Sequence, residues 1–108
     1  MPQPTLSDVT KDLENKGYTH DFTSKENHIE DTKTGQTVEP SDFHIVESYR
    51  FEGASDPGDS EVIYALESRS GIKGMMIDAY GVYADPLKAA FISQIELLHK
   101  LKTRGSAA

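Results

Sequence analysis

The stretch 61-EVIYALESRSGIKGMMIDAY-80 contains two segments rich in β-branched, aromatic and other apolar residues, with the turn signal Ser70-Gly71 between them. This pattern predicts a β-hairpin formed by strands 61–69 and 72–80. With Ser70-Gly71 as the turn, apolar residues of the two strands oppose each other on one face of the hairpin. The predicted pairs are Val62 with Ala79, Tyr64 with Ile77, and Leu66 with Met75.

Helices are predicted near both ends of the chain. Residues 6–16 carry apolar side chains at helical spacing, and either Thr5 or Ser7 can cap the start. Asp85-Pro86 is a typical helix start, because Asp caps well and Pro fits the first helical position. This second helix is predicted to run to about Lys102 with an apolar stripe. The stripe consists of Leu87, Phe91, Ile95 and Leu98.

Further strands are predicted between the first helix and the hairpin. Segments 18–22, 28–31 and 36–38 read as short strands, and 40–43 reads as a single helical turn or a tight bend. Segment 43–51 reads as a longer strand with alternating apolar residues, all expected on one face. These residues are Phe43, Ile45, Tyr49 and Phe51. The whole pattern predicts an α+β fold, with an antiparallel sheet of about four to five strands flanked by an N-terminal and a C-terminal helix.

Length and composition limit the classes of protein and of partner that fit this chain. The 108 residues fit one domain, predicted over 1–104, with 105–108 as a frayed tail. A formal net charge of −7 disfavours nucleic acids and anionic membranes as partners. No apolar run approaches the about 20 residues of a membrane span, and no signal peptide is evident. The absence of Cys suits a reducing compartment. We therefore expect a cytoplasmic protein with no nucleic-acid partner, no membrane partner and no cofactor.

The runs 49-YRFEGASDPGDSEVIYAL-66 and 71-GIKGMMIDAYGVYADP-86, together with 17-GYTHDF-22, carry a family resemblance. They resemble a family of small, uncharacterised bacterial proteins of the Bacteroidetes type. Some members of that family bear the label phosphoribosylpyrophosphate synthetase, which implies binding of ATP, Mg²⁺ and a sugar phosphate. The chain has no Gly-rich loop entering a helix and no basic clamp for such chemistry. The residues themselves therefore do not support the label.

No catalytic and no metal-binding residue is predicted. The acidic loop 52-EGASDPGDSE-61 offers carboxylates but lacks the ligand spacing of a Ca²⁺ loop. The four His residues are not paired at helical spacing, and there is no Cys to assist them. No Ser lies in a nucleophile-elbow motif.

Glu47 has two interpretations, one structural and one functional, because it lies on the predicted face that carries Ile45 and Tyr49. A carboxylate buried alone is strongly unfavourable. Glu47 is therefore expected at an edge or hydrogen-bonded to a Tyr such as Tyr64. The alternative is a perturbed carboxylate in a functional cleft.

The predicted reverse face of the hairpin combines apolar and polar residues. Asp78 and Tyr80 lie there with Glu67, and Tyr83 follows shortly after them in the chain. A partly apolar surface with a few polar groups is typical of a ligand or partner site. It is equally compatible with cover by the N-terminal helix. The predicted binding residues are Asp78, Tyr80, Tyr83, Glu67 and Glu47.

Two functional hypotheses follow. The first is a small non-enzymatic domain that binds a partner protein or a second copy of itself. The second is a nucleotide- or sugar-phosphate-binding protein or enzyme, as the label of the resembling family implies. An exposed strand edge favours the first hypothesis, and a concave pocket over Asp78, Tyr80 and Glu67 favours the second.

Overall fold

The computed structural model describes residues 5–51, 60–79 and 84–107, and within them two helices enclose a six-stranded mixed sheet. The helices and strands are α1 (Leu6–Asn15), β1 (His20–Lys25), β2 (His28–Asp31), β3 (Gln36–Thr37), β4 (Phe43–Phe51), β5 (Glu61–Ser68), β6 (Lys73–Ala79) and α2 (Pro86–Ala107). A 3-10 turn, Pro40–Asp42, leads into β4 as predicted. The α+β class is confirmed, whereas the purely antiparallel sheet of four to five strands is wrong.

The sheet consists of two antiparallel halves joined by one parallel pair of strands. The strand order is β3-β2-β1-β6-β5-β4, and β1 runs parallel to β6. At this junction His20 lies beside Gly74, and Asp21 lies beside Met75. Each half follows local hairpin patterns, but no local pattern specifies how the halves meet. The prediction of an antiparallel sheet failed at this junction for that reason.

Gly74 allows β1 and β6 to approach each other closely. A Cβ atom at this position would lie 2.6 Å from the backbone oxygen of His20 and 2.6 Å from Cε2 of Phe22. Both distances are far shorter than an ordinary van der Waals contact. The backbone of β1 cannot move away without losing its pairing with β6. Only glycine is therefore compatible with this junction.

We expect Gly74→Ala to reduce the free energy of unfolding by about 1–3 kcal/mol, the usual cost of overpacking. It should also accelerate amide hydrogen exchange in β1 more than in β4. Gly35→Ala is the control, since nothing lies within 4 Å of its Cβ position, although φ is +74° there. That change should cost about 1 kcal/mol through backbone strain and leave exchange in β1 unchanged. Wild-type stability in Gly74→Ala would show that the contact is not tight.

Both faces of the sheet are covered. We call them the α1 face and the α2 face, after the helix that packs on each. The buried side chains of the α1-face cluster are Val9, Leu13, Tyr18, Ile63, Ala65 and Met75. Those of the α2-face cluster are Phe22, Ile29, Phe43, Leu66, Met76, Phe91, Ile92 and Ile95. This arrangement explains why apolar residues on β5 and β6 do not alternate with polar ones, since strands buried on both faces are apolar throughout.

The predicted register of the β5–β6 hairpin is wrong by one residue. Leu66 lies opposite Gly74 rather than Met75, and Val62 lies opposite Asp78. The turn is one residue longer than assumed, because the N–H of Gly71 bonds to the oxygen of Ser68 and Gly71 then adopts φ +93°. A turn that ends in a left-handed Gly is a common hairpin connection, and it shifts every pair along the strands.

Strand β4 changes face along its length. A β-bulge between Ile45 and Glu47 inserts Val46 as an extra residue. Before the bulge, Phe43 and Ile45 pack against the α2-face cluster; after it, Tyr49 and Phe51 pack against the α1-face cluster. The prediction that these residues share one face is therefore wrong, and Glu47 lies on the same face as Tyr49, opposite Ala65.

The helix starts were predicted well and the end of α2 less well. Thr5 caps α1 in a capping box with Asp8, and Asp85 accepts a hydrogen bond from the Leu87 N–H at 2.9 Å. Helix α2 continues past the predicted end at Lys102, so residues 105–107 of the predicted tail belong to it. In its apolar stripe Leu98 is 43% exposed rather than packed on the sheet.

Candidate functional site

An open groove of about 950 Å³ lies between the start of β4 and the C-terminal half of α2, and we call it the β4–α2 groove. Its apolar side chains come from both elements: Phe43, Ile45, Ile95 and Leu98. Polar residues border it, among them Asp42, His44, Arg69, Glu96 and Lys100. An apolar surface with charged residues at its margin is typical of a binding site.

The hairpin tip between β5 and β6 positions Arg69 at the margin of the groove. The backbone N–H of Arg69 donates to the oxygen of Asp42 at 2.9 Å, which fixes the tip against the 3-10 turn. The tip is further held by Ser68, whose Oγ atom accepts from the N–H of Ile72 at 2.9 Å. Ser68 Oγ also lies 3.0 Å from Ser70 Oγ. The backbone from which the Arg69 side chain extends is thus well anchored.

The outer side of β4 is an open sheet edge next to this groove. In the part of the chain that the structure describes, β4 pairs with β5 alone. The backbone N–H of Ser68 donates to the oxygen of Ile72 and therefore points away from β4. Because successive residues of a strand point their backbone N–H and C=O to opposite sides, those of Glu67 point towards β4. His44 lies opposite Glu67, so the backbone N–H and C=O of His44 point towards β5. The N–H and C=O of Ile45 consequently point to the open side.

Asp78, the first of the predicted binding residues, is 8% exposed and lies on the α2 face. Its Oδ1 atom accepts a hydrogen bond from the backbone N–H of Asp85 at 2.9 Å. Asp85 in turn accepts a short hydrogen bond from the Ser24 hydroxyl. These contacts tie the start of α2 to β6 and β1, which favours a structural role for Asp78.

The Ser24 hydroxyl is the main cause of a lowered pKa at Asp85. Its hydrogen bond, together with the N–H of Leu87, favours the ionised carboxylate more than partial burial disfavours it. Because the folded-state pKa lies below the unfolded value, the stabilisation is fully present above the unfolded pKa. It is lost as the pH falls through the folded pKa.

We therefore expect Ser24→Ala to reduce the free energy of unfolding at pH 7 by about 1.5–3 kcal/mol, the range for hydrogen bonds to charged groups. The difference from wild type should shrink as the pH falls below about 4, where an Asp of the unfolded chain begins to take up a proton while the folded Asp85 is still ionised. Urea unfolding across this pH range measures both effects. Ser93→Ala, at an exposed position of α2, is the control and should be neutral throughout. A loss that is independent of pH would contradict the assignment.

Glu67 and Glu47 lie apart from Asp78. Glu67 is half-buried opposite Lys73, and its Oε1 atom is 3.9 Å from Nε2 of His44. The shifted register places Glu67 on the α1 face and Asp78 on the α2 face. The two residues therefore do not form the shared surface that the predicted register implied.

Glu47 is exposed on β4, opposite Ala65. It lies on the edge strand and its hydrogen-bond partner is a Tyr, Tyr49. Burial raises the pKa of the Tyr49 phenol, and the hydrogen bond with Glu47 adds to the rise. Tyr80, Tyr83 and the acidic loop 52–59 lie outside the described residues. The Asp78–Tyr80 surface accordingly stays a prediction.

A pair formed by the half-buried His20 and the buried Asp31 was not singled out as a site by the sequence. His20 Nδ1 lies 2.6 Å from Asp31 Oδ2, and Asp31 Oδ1 accepts from the N–H of Lys33 at 2.9 Å. Within the described ranges every buried side-chain nitrogen and oxygen has a hydrogen-bond partner. The same ranges contain no group of three or more His, Asp or Glu placed to hold a metal ion. The Asp31 carboxylate is thus held by groups of the chain itself, which favours a structural role for the pair.

No family model, no curated protein and no solved structure matches the chain. In the segments that the structure describes, neither helix has the length and apolarity to span a membrane.

Proposed function

We propose that the chain is a protein-interaction domain that binds an extended segment of a partner protein along the outer side of β4. The bound segment forms an additional strand, and its inward side chains enter the β4–α2 groove. The observation that carries the proposal is that the open edge of β4 and the groove lie side by side. Strand addition beside a helix is a recurring mode of peptide recognition.

The edge supplies directional hydrogen bonds. The N–H and C=O of Ile45 point outward, and an extended chain satisfies both groups. Beyond Ile45 the bulge at Val46 interrupts regular pairing, as bulges commonly do at sheet edges. Strand addition is therefore short and is centred on the first residues of β4, where the groove lies.

The groove supplies the apolar contacts. In a strand added to β4, alternate side chains point to the α2 face, where Ile45 and Leu98 line the groove. Leu98 is 43% exposed, so cover by an apolar side chain removes surface from water. Backbone pairing and apolar burial thus act on the same short segment.

A second copy of the chain is a poorer partner than another protein. Pairing of two copies along the whole of β4 requires a twofold axis at the middle of the strand, which places Glu47 opposite Glu47 of the second copy. Like charges directly opposite each other destabilise a strand pair. Arg50 lies opposite His44 in the same arrangement, which offers no compensating carboxylate. These pairs favour a partner with a different sequence.

The rival hypothesis, a nucleotide or sugar-phosphate site, has less support. Helix N-termini are the usual phosphate sites in proteins. The start of α1 is capped by Thr5 and Asp8, and the start of α2 lies against Asp78 and Asp85. Carboxylates at these positions repel a phosphate and already accept N–H groups. We therefore expect no ribose-5-phosphate-dependent conversion of ATP to AMP.

The proposal is tested with a phage-displayed library of random peptides selected on the immobilised full chain. We expect enriched peptides that alternate apolar residues and that bind the purified protein as synthetic peptides. Leu98→Asp should weaken their binding about tenfold or more, because it places a charge in an apolar groove. Fluorescence polarisation measures the affinities.

Leu97→Asp is the matched control, since Leu97 is 56% exposed on the same helix but does not line the groove. It should bind the peptides as wild type does. Melting temperatures of the two variants establish that both are folded. The proposal is wrong if selection enriches no binding peptide, or if both Asp variants weaken binding equally. A dimer that forms through β4 and excludes peptides would also contradict it.

A further inference from the structure

We infer that the chain also binds an arginine side chain of a partner protein, in a second cleft between the β1–β2 hairpin and the first half of α2. This cleft has a volume of about 260 Å³, and we call it the β2–α2 cleft. Pro40 lines both this cleft and the β4–α2 groove. The inference goes beyond the proposed function, because neither the edge of β4 nor Leu98 takes part in it.

The β2–α2 cleft has an apolar floor and a polar margin. Ile29 and Phe91, which are 4% and 5% exposed, form the floor together with the half-buried Val38 and Leu87. The residues at the margin are Asn27, His28, Thr37, Glu39 and Gln94. A side chain with an apolar stem and a charged tip matches this arrangement, because the stem covers the floor while the tip stays at the margin.

The charge at the margin favours a cation. Glu39 is exposed there and makes no ion pair within the described ranges. Its side chain does not cap the 3-10 turn that follows it. Among the described residues that line the cleft there is no Lys and no Arg. In a chain of net charge −7, this margin is complementary to a positively charged group.

The basic side chains on the adjoining elements already have partners. Lys25 Nζ lies 3.6 Å from Glu30 Oε2, and His28 Nε2 lies 3.7 Å from Glu30 Oε1. Lys88, next to Leu87 on α2, donates from Nζ to the oxygen of Ile77 on β6 at 2.7 Å. Strand β6 lies on the far side of β1 from β2. None of these contacts neutralises Glu39.

The turn of the β1–β2 hairpin carries a second carboxylate in a strained conformation. Glu26 has φ +55°, a region that Gly and Asn adopt more readily than Glu. It is exposed, forms no ion pair in the part of the chain that the structure describes, and precedes Asn27 of the cleft margin. Backbone strain at a residue whose charge the fold does not use favours a functional role for that charge.

Arginine fits the β2–α2 cleft better than lysine. Its planar guanidinium binds a carboxylate such as that of Glu39 with two parallel hydrogen bonds. The remaining donors can bond to the side-chain oxygens of Asn27 and Gln94 at the same margin. A guanidinium is also more weakly hydrated than an ammonium group, which lowers the cost of placing it beside an apolar floor.

The test begins with random peptides displayed on phage and selected on the full chain carrying Leu98→Asp, which disables the β4–α2 groove. We expect the selected peptides to contain Arg more often than the unselected library does. Replacing that Arg by citrulline, its neutral isostere, should weaken binding about tenfold or more, and replacing it by Lys about threefold. In heteronuclear NMR spectra the peptides should shift the amide resonances of Asn27, Thr37 and Gln94.

Glu39→Gln then removes the charge and keeps the size of the side chain. In this variant the citrulline replacement should have less than about a twofold effect, since the partner carboxylate is gone. Glu14→Gln is the matched control, because Glu14 is exposed on α1, on the other face of the sheet. It changes the net charge equally and should retain the tenfold effect. Glu26→Asn should raise the melting temperature and weaken the binding of the Arg peptides.

The inference is overturned if no peptide is enriched, if the enriched peptides lack Arg, or if they shift resonances away from the cleft. It is also overturned if Glu39→Gln retains the tenfold effect. Loss of that effect in Glu14→Gln as well would show attraction by net charge alone and would equally overturn it. The proposed function stands after each of these results, because it is tested with peptides whose binding requires Leu98.

Discussion

The close contact of β1 and β6 at Gly74 is the constraint on which the rest of the fold depends. It joins the two antiparallel halves of the sheet, and it is compatible only with a residue that lacks a Cβ atom. With β1 on one side of β6 and β5 on the other, β4 becomes the outer strand of its half. The open edge proposed to bind a partner is therefore a consequence of a contact in the middle of the sheet.

The same junction determines how α2 lies on the sheet. Asp78 at the end of β6 and Ser24 on β1 both contact Asp85, which fixes the start of the helix over the centre of the sheet. From there Phe91 packs against Phe43 of β4, with ring centroids 6.2 Å apart. The later turns of α2 pass the first residues of β4 and leave the groove between them.

Features that depend on neighbouring residues could be predicted from the sequence. The caps at Thr5 and Asp85 follow from local hydrogen bonding, and the structure has both. The hairpin was also predictable, but its register was not, because a turn ending in Gly71 fits the same residues as a shorter turn around Ser70-Gly71. Neither the bulge at Val46 nor the parallel pairing of β1 and β6 has a local signal.

The candidate site was harder to predict than the fold, because its parts are distant in the sequence. Ile45, Arg69 and Leu98 meet only when β4, the hairpin tip and α2 are assembled. The sequence placed Leu98 in the apolar stripe of α2, but only the structure shows that the sheet leaves this side chain 43% exposed. Asp78 was predicted as a binding residue, and the hydrogen bond that its carboxylate accepts from the N–H of Asp85 depends on how α2 follows β6.

Strand addition to β4 is the central claim, and N-methylation of a selected peptide tests it most directly. In an added strand only alternate N–H groups of the peptide point towards β4, while the others point away. The account predicts that N-methylation of one alternating set of residues abolishes binding and that N-methylation of the other set leaves the affinity nearly unchanged. Equal effects of the two sets, or no effect of either, would contradict it.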